Sequence, residues 1–462
     1  MENVLFCNPP WWVDIPFSDG GDGPYEPVVR AGIRAGSRWP YTTETQSRPD
    51  NFVSREYLPY PFFLGSAATY VAAHAGAQVD FRDSIALRES YESFLRFLAA
   101  KRYDYIFLES ATSSWDHDRK LIRKINALCP WTRIVLCGPI TVKAAELLAH
   151  YPLHACIHGE YEKGAVRVVK DGESGEISHD LLTVEEMNRA PFPYMDSVHV
   201  GHYWDHAQPF PDRPQTNPEH PQAIVWGSRG CPYKCIFCVW PAVMTGNDPD
   251  GTGKRTVRFY SADYIGAWVR WLIDAFQVSC IYFDDDTFNL GDRHVQAVCA
   301  VMKDMDIPWS AMCRADTISR DTWVLMKEAG CYNVKIGFES GSQWVVDNIV
   351  NKRLDLEKAR EVVHFLHQLG VTVHGTFTYG LPGETAEQMM ETKRFIASMP
   401  LNTYQESGTA EIEGTPLSTL RQSKSLRAYA GATLAAGYEI NADGNLKMAS
   451  IRNLLNSFSA AR

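Results

Sequence analysis

The feature that most constrains the fold is an alternation of short apolar runs with amphipathic stretches in the second half of the chain. The apolar runs cover residues 279–283, 308–313, 333–338 and 371–378. The amphipathic stretches cover residues 262–276, 292–305, 320–329 and 355–369. Alternation at this spacing is typical of parallel βαβ units, in which functional side chains follow the C-terminal ends of the strands.

The first 170 residues show the same alternation. Strand-like runs occur at Val4–Phe6, Val79–Phe81, Tyr105–Leu108, Ile134–Cys137 and Ala155–Ile157. Helix-like stretches occur at 65–75, 89–101, 116–128 and 141–149. This pattern predicts a doubly wound, Rossmann-like α/β domain, which binds ligands at strand C-termini near a topological switch point. No G-x-G-x-x-G motif follows the first strand, so we do not expect a dinucleotide site.

Composition divides the chain into four parts. Residues 1–170 form the predicted N-terminal domain, and residues 171–222, which are rich in proline, form a predicted linker. Residues 223–400 hold the second α/β domain, and residues 401–462 form the C-terminal region. The helix-like stretches of this last part are 417–437 and 448–458. They predict a short α-rich end to the chain.

The charge and hydropathy of the chain exclude some classes of partner. Its 462 residues carry 45 Lys and Arg against 55 Asp and Glu, a formal net charge of −10. This charge disfavours nucleic acid as a partner, because phosphate binding requires a basic surface. No apolar stretch is long enough to span a bilayer, and the N-terminus lacks the pattern of a signal peptide. We therefore expect a cytoplasmic protein with no membrane partner.

Three cysteines, Cys231, Cys235 and Cys238, stand within eight residues as C-x3-C-x2-C after an apolar run. Three thiolates leave one iron of a [4Fe–4S] cluster without a protein ligand, which is the open coordination that a catalytic cluster needs. A structural zinc site would need a fourth ligand, and the nearest residues of a suitable type are His220 and Cys280. A ferredoxin-like carrier would need a fourth cysteine in the same run, and none is present.

The triplet, with Phe237 directly before its last cysteine, resembles the signature of the radical SAM superfamily. The resemblance implies a partial (β/α)6 TIM barrel and a [4Fe–4S] cluster on the three cysteines. It also implies that the open iron binds S-adenosylmethionine (SAM) and that reductive cleavage gives a 5′-deoxyadenosyl radical. By the same resemblance Phe237 lies near the adenine.

Four strand-end segments resemble radical SAM proteins that carry an attached cobalamin domain. They are Cys280–Phe288, Trp309–Asp316, Val334–Ser342 and Thr376–Glu384. The resemblance implies that Asp285, Arg314 and Glu339 hold the ribose and methionine ends of SAM, and Ser340 belongs to the same predicted site. Carboxylate and guanidinium groups suit a zwitterionic, cationic ligand in a partly dry cavity.

Structural roles compete with these assignments. An acidic triplet such as Asp284–Asp286 often caps the helix that follows it. Arg314 and Asp316 can pair with each other. The turn at Gly380–Glu384 can serve only to join a strand to a helix.

The N-terminal half resembles the cobalamin-binding domain found in front of many radical SAM proteins. The matching segments are Val4–Pro10, Leu64–Val79, Tyr105–Ser114, Ile134–Pro139 and His158–Glu162. The residues implied to contact cobalamin are Asn8, Pro9, Ser110, Ser114, Gly138, Pro139, Gly159 and Glu160. The two serines would hydrogen-bond the buried tail of the ligand, and the glycines would let the backbone approach it.

One departure from related cobalamin domains bears on the cobalt ligand. The chain lacks the D-x-H-x-x-G motif whose histidine ligates cobalt in domains of the methionine synthase type. We therefore predict base-off cobalamin without a histidine ligand. The long 11–63 loop is expected to cover its lower face, and its candidate side chains are Trp11, Trp12, Arg34, Arg38, Trp39 and Tyr57.

The resemblance as a whole implies a cobalamin-dependent, class B radical SAM methyltransferase. Such an enzyme methylates an unactivated carbon of a small-molecule or carrier-tethered substrate through methylcobalamin and the 5′-deoxyadenosyl radical. An external reductant such as flavodoxin or ferredoxin supplies the electrons. Candidate substrate-pocket residues are Tyr404, Gln405, Glu406, Glu411 and Glu413.

Other functions remain open from the sequence, which identifies no catalytic acid or base. The first is a non-methylating reaction on the same cofactors, such as cyclisation or ring contraction. The others are a methylthiotransferase acting on tRNA and a non-catalytic cobalamin-binding protein.

Overall fold

A computed structural model of the protein describes most of both predicted domains. The described residues are 1–10, 12–14, 27–29, 57–87, 89–112, 114–205, 221–409, 412–418, 433–435, 438–440 and 446–448. Within these ranges the chain forms two six-stranded parallel sheets, one in each half. Most of the predicted 11–63 loop, with Trp11, Arg34, Arg38 and Trp39, lies outside the described residues.

The N-terminal sheet is doubly wound, as predicted. Its strands are β1 (Asn3–Asn8), β2 (Gln78–Asp83), β3 (Tyr105–Glu109), β4 (Arg133–Cys137), β5 (Ala155–Ile157) and β6 (Gly175–Ile177). All are parallel, in the order β2-β1-β3-β4-β5-β6. The topological switch point therefore lies beside β1, between its neighbours β2 and β3. Because β6 follows residue 170, the sheet extends beyond the predicted boundary.

Five helices connect these strands. They are α1 (Phe62–His74), α2 (Tyr91–Ala100), α3 (Trp115–Leu128), α4 (Ala144–His150) and α5 (Glu162–Asp171). Most of them bury one apolar stripe, as surface helices do. Helix α1 is instead apolar around much of its circumference, because it packs between its own sheet and the second domain. There the Phe62 ring stacks on Trp226, with 4.8 Å between ring centroids.

Part of the predicted linker is built into the N-terminal domain. After the short helix α6 (Val184–Arg189), the Tyr194 carbonyl accepts a hydrogen bond of 2.5 Å from the Tyr60 hydroxyl. The Tyr203 hydroxyl donates to Asp83 Oδ2 at 3.1 Å, at the end of β2. These contacts hold the segment against the N-terminal domain. Composition alone predicted a linker here and did not indicate the contacts.

The second sheet is the partial (β/α)6 barrel implied by the resemblance. Its strands are β7 (Gln222–Val225), β8 (Cys280–Phe283), β9 (Trp309–Cys313), β10 (Cys331–Glu339), β11 (Thr372–Tyr379) and β12 (Thr403–Gly408). They are parallel and follow one another in sequence order. The barrel runs past the predicted boundary at residue 400, since its sixth strand begins at Thr403. The sequence did not indicate this strand, because Thr-Tyr-Gln-Glu-Ser-Gly lacks an apolar pattern.

Six helices accompany the barrel strands. They are α7 (Ala262–Phe276), α8 (Asp292–Met305), α9 (Arg320–Glu328), α10 (Gln343–Asn348), α11 (Leu356–Gln368) and α12 (Ala386–Ala397). Four of them begin at N-cap side chains that accept backbone N–H groups, namely Ser261, Ser319, Asp355 and Thr385. These caps fix where each strand-to-helix connection ends. None of the described helices combines the length and apolar character needed to cross a membrane.

The described parts of the C-terminal region agree only partly with the prediction of helices, since residues 416–418 are helical and the later parts are strands. Its described parts after residue 418 are three short strands, Thr433–Ala435, Tyr438–Ile440 and Leu446–Met448, paired antiparallel. The first of them falls inside the stretch predicted to be helical, 417–437. The rest of that stretch, after residue 418, lies outside the described residues. The β-branched and aromatic side chains here favour strands, and the glycines and the Asn-Ala-Asp-Gly sequence between them favour turns. Together these preferences outweigh helix propensity.

Candidate active site

The cysteine loop, residues 227–240, follows the C-terminal end of β7. Ser228–Arg229 pairs antiparallel with Arg258–Phe259, so the loop begins as a two-residue strand. Gly230 then takes a φ of +94°, and a Cβ atom at this position would lie 2.4 Å from the Thr256 carbonyl oxygen. Only glycine fits there without strain. This turn presents Cys231 beside the end of β8.

Asp285 anchors the start of the cysteine loop. Its Oδ2 accepts the Gly227 N–H at 2.9 Å, and its Oδ1 accepts the Ser228 hydroxyl at 2.5 Å. The side chain is fully buried. A SAM contact was predicted for Asp285. In the structure its carboxylate joins the end of β8 to the loop that carries the cysteines, and the SAM contact stays a prediction.

The three thiols lie within electrostatic range of one another. Cys231 Sγ is 3.6 Å from Thr287 Oγ1, and the Cys238 N–H donates to the Cys235 carbonyl at 3.2 Å. Burial, followed by the Asp286 carboxylate and the Cys235 thiol, raises the pKa of Cys231 to about 11. Burial, Asp286 and both other thiols also raise the pKa of Cys238 well above its ordinary value.

This donor set suits an iron–sulfur cluster. Three thiolates beside a carboxylate form a buried concentration of negative charge, which the iron ions of a cluster would compensate. Three cysteine ligands also leave one iron open to SAM. Within the described ranges, no three His, Cys, Asp or Glu side chains converge closely enough to hold a single metal ion.

Two segments that sequence reasoning missed hold the cysteine loop in place. Arg255 donates from Nη1 to the Tyr233 carbonyl at 2.7 Å, and its own Nε is held by Asp248 Oδ2 at 2.7 Å. The Leu417 N–H donates to the Ile236 carbonyl at 2.8 Å. Both contacts join residues distant in sequence, so no local pattern could reveal them.

Phe237 packs beside the cysteines on a small apolar cluster. Its half-buried ring lies with Cys235 against Val345, Val350 and Leu381. The cluster joins the cysteine loop to α10 and to the turn after β11. This position leaves one part of the ring accessible, and the adenine contact stays a prediction.

Arg314 is already paired in the structure. Its Nε and Nη2 donate to the Asp316 carboxylate at 2.9 and 2.8 Å, and its Nη1 donates to the Lys352 carbonyl at 3.2 Å. The guanidinium carbon lies 3.5 Å from the centroid of the Tyr233 ring, a cation–π arrangement. The pairing with Asp316 is the structural role that the sequence left open. Through Tyr233, Arg314 also borders the cysteine loop.

Glu339 has a strained backbone and a lysine partner. Its φ is +69°, which non-glycine residues seldom adopt, and the β10–β11 register shifts between Gly337 and Glu339. Lys352 Nζ donates to Oε1 at 2.9 Å, and the Thr378 hydroxyl donates to Oε2 at 3.1 Å. Both charged side chains are nearly buried. Lys352 was not predicted, since it stands in a loop without a recognisable motif.

Ser340 and Glu384 have structural contacts. Ser340 Oγ lies 3.2 Å from Thr392 Oγ1 of α12, and it is fully buried. Glu384 Oε2 accepts the N–H groups of Gly380 and Leu381 at 2.9 and 3.2 Å. Burial raises the pKa of Glu384 to about 8. The turn at Gly380–Glu384 therefore has the structural role that the sequence left open.

Three of the four described candidates for the substrate pocket lie on both faces of β12, and the fourth, Glu413, forms an ion pair of 2.7 Å with Lys143 Nζ of the N-terminal domain. Glu406 accepts a hydrogen bond from the Tyr379 hydroxyl at 2.6 Å and forms an ion pair with Lys393 of α12. Tyr404 lies on the same face and packs against the main core. Because side chains alternate along a strand, Gln405 points to the opposite face, away from the helices. Glu411 lies outside the described residues.

Most predicted cobalamin contacts lie at one edge of the N-terminal sheet. Asn8 and Pro9 follow β1, Ser110 and Ser114 follow β3, Gly138 and Pro139 follow β4, and Gly159 follows β5. This is the edge at which doubly wound sheets bind ligands. The Asn8 amide nitrogen donates to Asp83 at 2.9 Å, while its amide oxygen is buried without a hydrogen-bond partner in the described part of the chain. A ligand at this edge could satisfy that oxygen.

The serines and glycines of this edge also make contacts within the protein. The hydroxyls of Ser110 and Ser114 donate to Asp118 Oδ2 at 2.6 and 2.7 Å. Gly138 has a φ of +98°, and a Cβ atom there would lie 2.1 Å from the Ser110 carbonyl oxygen. At Gly159 a Cβ atom would lie 2.0 Å from the His179 ring. The glycines are therefore needed for close packing of neighbouring loops, whether or not a ligand is near.

Glu160 does not face this edge. Its Oε2 accepts hydrogen bonds from Arg229 Nη1 at 3.0 Å and from Arg258 Nη1 at 3.1 Å, and its Oε1 pairs with Arg258 Nη2. Glu162 Oε1 lies 2.8 Å from Arg229 Nη2. Both glutamates are fully buried. In the structure Glu160 contacts the second domain, and its predicted contact with cobalamin stays a prediction.

Comparison with known proteins agrees with this arrangement. Residues 227–396 match the family model of the radical SAM superfamily. An uncharacterised methyltransferase of Pyrococcus horikoshii is 26% identical over 249 residues, which are 53% of this chain and 50% of that protein. Cytidylyl-2-hydroxyethylphosphonate methyltransferase of Streptomyces wedmorensis is 25% identical over 259 residues, 53% of this chain and 45% of that protein. The matches span half or less of the length of these curated relatives.

Two solved structures share the fold over most of the chain. The radical S-adenosylmethionine methyltransferase TsrM of Kitasatospora setae has a TM-score of 0.64 at 14% identity, covering 95% of this chain and 78% of that one. The cobalamin-dependent S-adenosylmethionine radical enzyme OxsB has a TM-score of 0.63 at 16% identity, covering 87% and 63%.

These findings confirm the prediction of a radical SAM enzyme. Residues 227–396 form a domain of the radical SAM superfamily, with the three cysteines on its first strand-to-helix connection. Over the residues that the structure describes, the chain shares its fold with the solved structures of TsrM and OxsB.

Proposed function

We propose that the protein is a cobalamin-dependent radical SAM methyltransferase that methylates an unactivated carbon of a small or carrier-tethered substrate. The observation that carries the proposal is the placement of three neighbouring thiols at the C-terminal end of β7, in a chain whose other half is a doubly wound sheet. The two curated relatives named as methyltransferases support the reaction type.

The cysteine loop would hold a [4Fe–4S] cluster. Cys231, Cys235 and Cys238 supply its ligands, and Phe237 supplies an apolar surface beside them for the adenine. When bound, the cluster supplies the electron for reductive cleavage of SAM, and cobalamin supplies a methyl carrier. An external one-electron donor such as flavodoxin or ferredoxin would reduce both.

The residues at the ends of β9 and β10 would hold the methionine end of SAM. Glu339 offers a carboxylate to the ammonium group, and Arg314 offers a guanidinium to the carboxylate. Each has a partner in the chain, Lys352 for Glu339 and Asp316 for Arg314, and these partners would hold the two side chains in position. Gln405, on the inner face of β12, is the candidate for substrate contact.

The N-terminal edge would hold cobalamin. Asn8, Ser110 and Ser114 supply polar groups at the switch-point edge of the sheet. We propose base-off binding without a histidine ligand, since the chain lacks the D-x-H-x-x-G motif. A base-off absorption spectrum at neutral pH in the reconstituted protein would test this assignment.

Anaerobic reconstitution tests the cluster. We expect about four irons per chain in the parent protein and a loss of nearly all of them when Cys231, Cys235 and Cys238 are changed together to Ala. Cys156→Ala is the control, because this thiol is buried like that of Cys231 but lies in β5 of the other domain. Zinc in place of iron in the parent would contradict the proposal.

Product analysis tests the reaction. Incubation with SAM, cobalamin and a strong reductant should yield S-adenosylhomocysteine together with 5′-deoxyadenosine once substrate is present. 5′-Deoxyadenosine alone would favour a non-methylating rearrangement. Turnover of SAM to neither product, with both cofactors bound, would favour a binding protein.

A further inference from the structure

The segment that leads into Cys231 is tied to the N-terminal domain by buried charges. Arg229 stands two residues before Cys231, and its side chain is fully buried. Its guanidinium donates to Glu160 at 3.0 Å and lies 2.8 Å from Glu162. Glu162 is the first residue of α5 and Glu160 lies just before it, so both belong to the other domain.

A second arginine joins the same group from the neighbouring strand. Arg258 stands directly opposite Arg229 in the antiparallel pair and donates to Glu160 and to the Leu182 carbonyl. Two like charges opposite each other in such a pair repel. The glutamates of the N-terminal domain offset this repulsion, so docking of the domain favours pairing of the two strands.

All three side-chain nitrogen atoms of Arg229 have partners. Its Nε donates to the Tyr260 hydroxyl at 2.9 Å, and its Nη2 donates to Ser66 Oγ at 3.0 Å. The rings of Phe62 and Phe63 lie 5.0 and 5.5 Å from its guanidinium carbon. Two arginines and two glutamates leave the group without net charge, which is the condition under which buried ions are tolerated.

The connection to the cysteines is short and stiff. One residue, Gly230, separates Arg229 from Cys231, and Gly230 is packed against the Thr256 carbonyl. A displacement of the Arg229 backbone therefore reaches the first thiol without a flexible segment to absorb it. The second thiol follows four residues later.

We propose that Glu160 and Glu162 position the cysteine loop through Arg229 and Arg258, so that the N-terminal domain determines how firmly the barrel holds its iron–sulfur cluster. Glu160 and Glu162 are positioning residues, since neither contacts the thiols. The proposal rests on the proposed function for the cluster itself. It adds that the two domains are coupled through these four charges.

Charge-neutral substitutions test the coupling. Glu160→Gln and Glu162→Gln keep the side-chain shape, but each removes one of the two negative charges that balance Arg229 and Arg258. For each we expect iron loss to a chelator to be about threefold to thirtyfold faster than in the parent, the range typical of coupling between neighbouring sites. We also expect the EPR spectrum of the reduced cluster to shift, because the position of Cys231 changes.

Glu89→Gln is the matched control. Glu89 is a nearly buried glutamate that accepts two hydrogen bonds of 2.7 Å from Arg82, with both residues inside the N-terminal domain. The change should lower the unfolding temperature but leave the EPR spectrum and the rate of iron loss as in the parent. Parent-like EPR spectra and iron loss in folded Glu160→Gln and Glu162→Gln would overturn the proposal.

Hydrogen exchange on the unchanged full chain gives a second test, which does not depend on the variants folding. Because coupling is reciprocal, cluster loading should slow amide exchange in residues 158–163 of the N-terminal domain. Protection confined to the barrel would overturn the proposal. If the parent takes up no iron, the proposed function fails and this inference fails with it. If the cluster is stable and neither glutamate substitution changes it, only the coupling is refuted.

Discussion

Lys352 Nζ lies 2.9 Å from Glu339 Oε1, and the glutamate that it contacts has a backbone φ of +69°. The pair stands at a bulge in β10, next to Cys235. Burial lowers the pKa of Lys352, and the Glu339 carboxylate raises it. The net effect is a pKa above the ordinary value for lysine. The lysine therefore stays charged at neutral pH and holds a carboxylate on a strained backbone at the mouth of the barrel.

Removing the lysine should destabilise the fold strongly. Lys352→Met leaves the Glu339 carboxylate buried without its cation, and breaking a buried pair in this way costs about 3–5 kcal/mol. Urea unfolding of the variant would measure the loss. Lys358→Met removes an exposed lysine that pairs with Asp355, and it should change stability by less than about 0.5 kcal/mol. Similar midpoints for the two variants would contradict the assignment.

Gly230→Ala should disturb the cysteine loop more than an equivalent change elsewhere. The new Cβ atom would lie 2.4 Å from a backbone oxygen at a φ of +94°, and we expect a loss of about 2 kcal/mol or more together with lower iron content. Gly172→Ala tests backbone strain alone, because Gly172 has a φ of +71° with open space around it. It should cost about 1 kcal/mol and leave iron content unchanged. Equal iron contents in the two variants would show that Gly230 is not specially placed.

Much of this architecture follows from local sequence patterns. The predicted strands and helices of both domains overlap the observed ones, because each has an apolar run or stripe bounded by turn and capping residues such as Ser261 and Thr385. The cysteine triplet is also a local pattern, because its three thiols stand within eight residues. Strand β12 was not predicted as one of the barrel strands, since it is polar on the face away from α12.

The missed features depend on contacts between distant residues. Arg229 and Glu160 are 69 residues apart, and nothing in either local sequence indicates a partner. Lys352 likewise pairs with Glu339 from a loop, where spacing carries no signal. For Asp285 and Glu160 the resemblance implied ligand contacts, which stay predictions, and the structure adds contacts within the chain that the sequence did not indicate.

Asp285→Asn separates a loop-anchoring role from a SAM contact. The amide can accept only one of the two hydrogen bonds that the carboxylate accepts from Gly227 and Ser228. We expect iron content after reconstitution to fall even without SAM, because the loop loses an anchor. Asp292→Asn, at a half-buried position on α8 where the carboxylate accepts hydrogen bonds from Ser319, is the control and should retain iron. Normal iron content with weakened SAM binding would instead favour direct contact with SAM.

Glu384 should make stability depend on pH in the direction opposite to most carboxylates. Burial raises its pKa to about 8 in the folded state, so between about pH 4.5 and 8 the folded chain keeps a proton that the unfolded chain releases. The unfolding free energy should therefore fall as pH rises through this window, by up to about 1.4 kcal/mol per pH unit from this group, and level off above pH 8. Glu384→Gln cannot titrate, and urea midpoints at pH 5 and 8.5 should show it gaining stability relative to the parent at the higher pH. A difference between variant and parent that does not change with pH would mean that Glu384 is ionised in the folded protein, held by the N–H groups of Gly380 and Leu381.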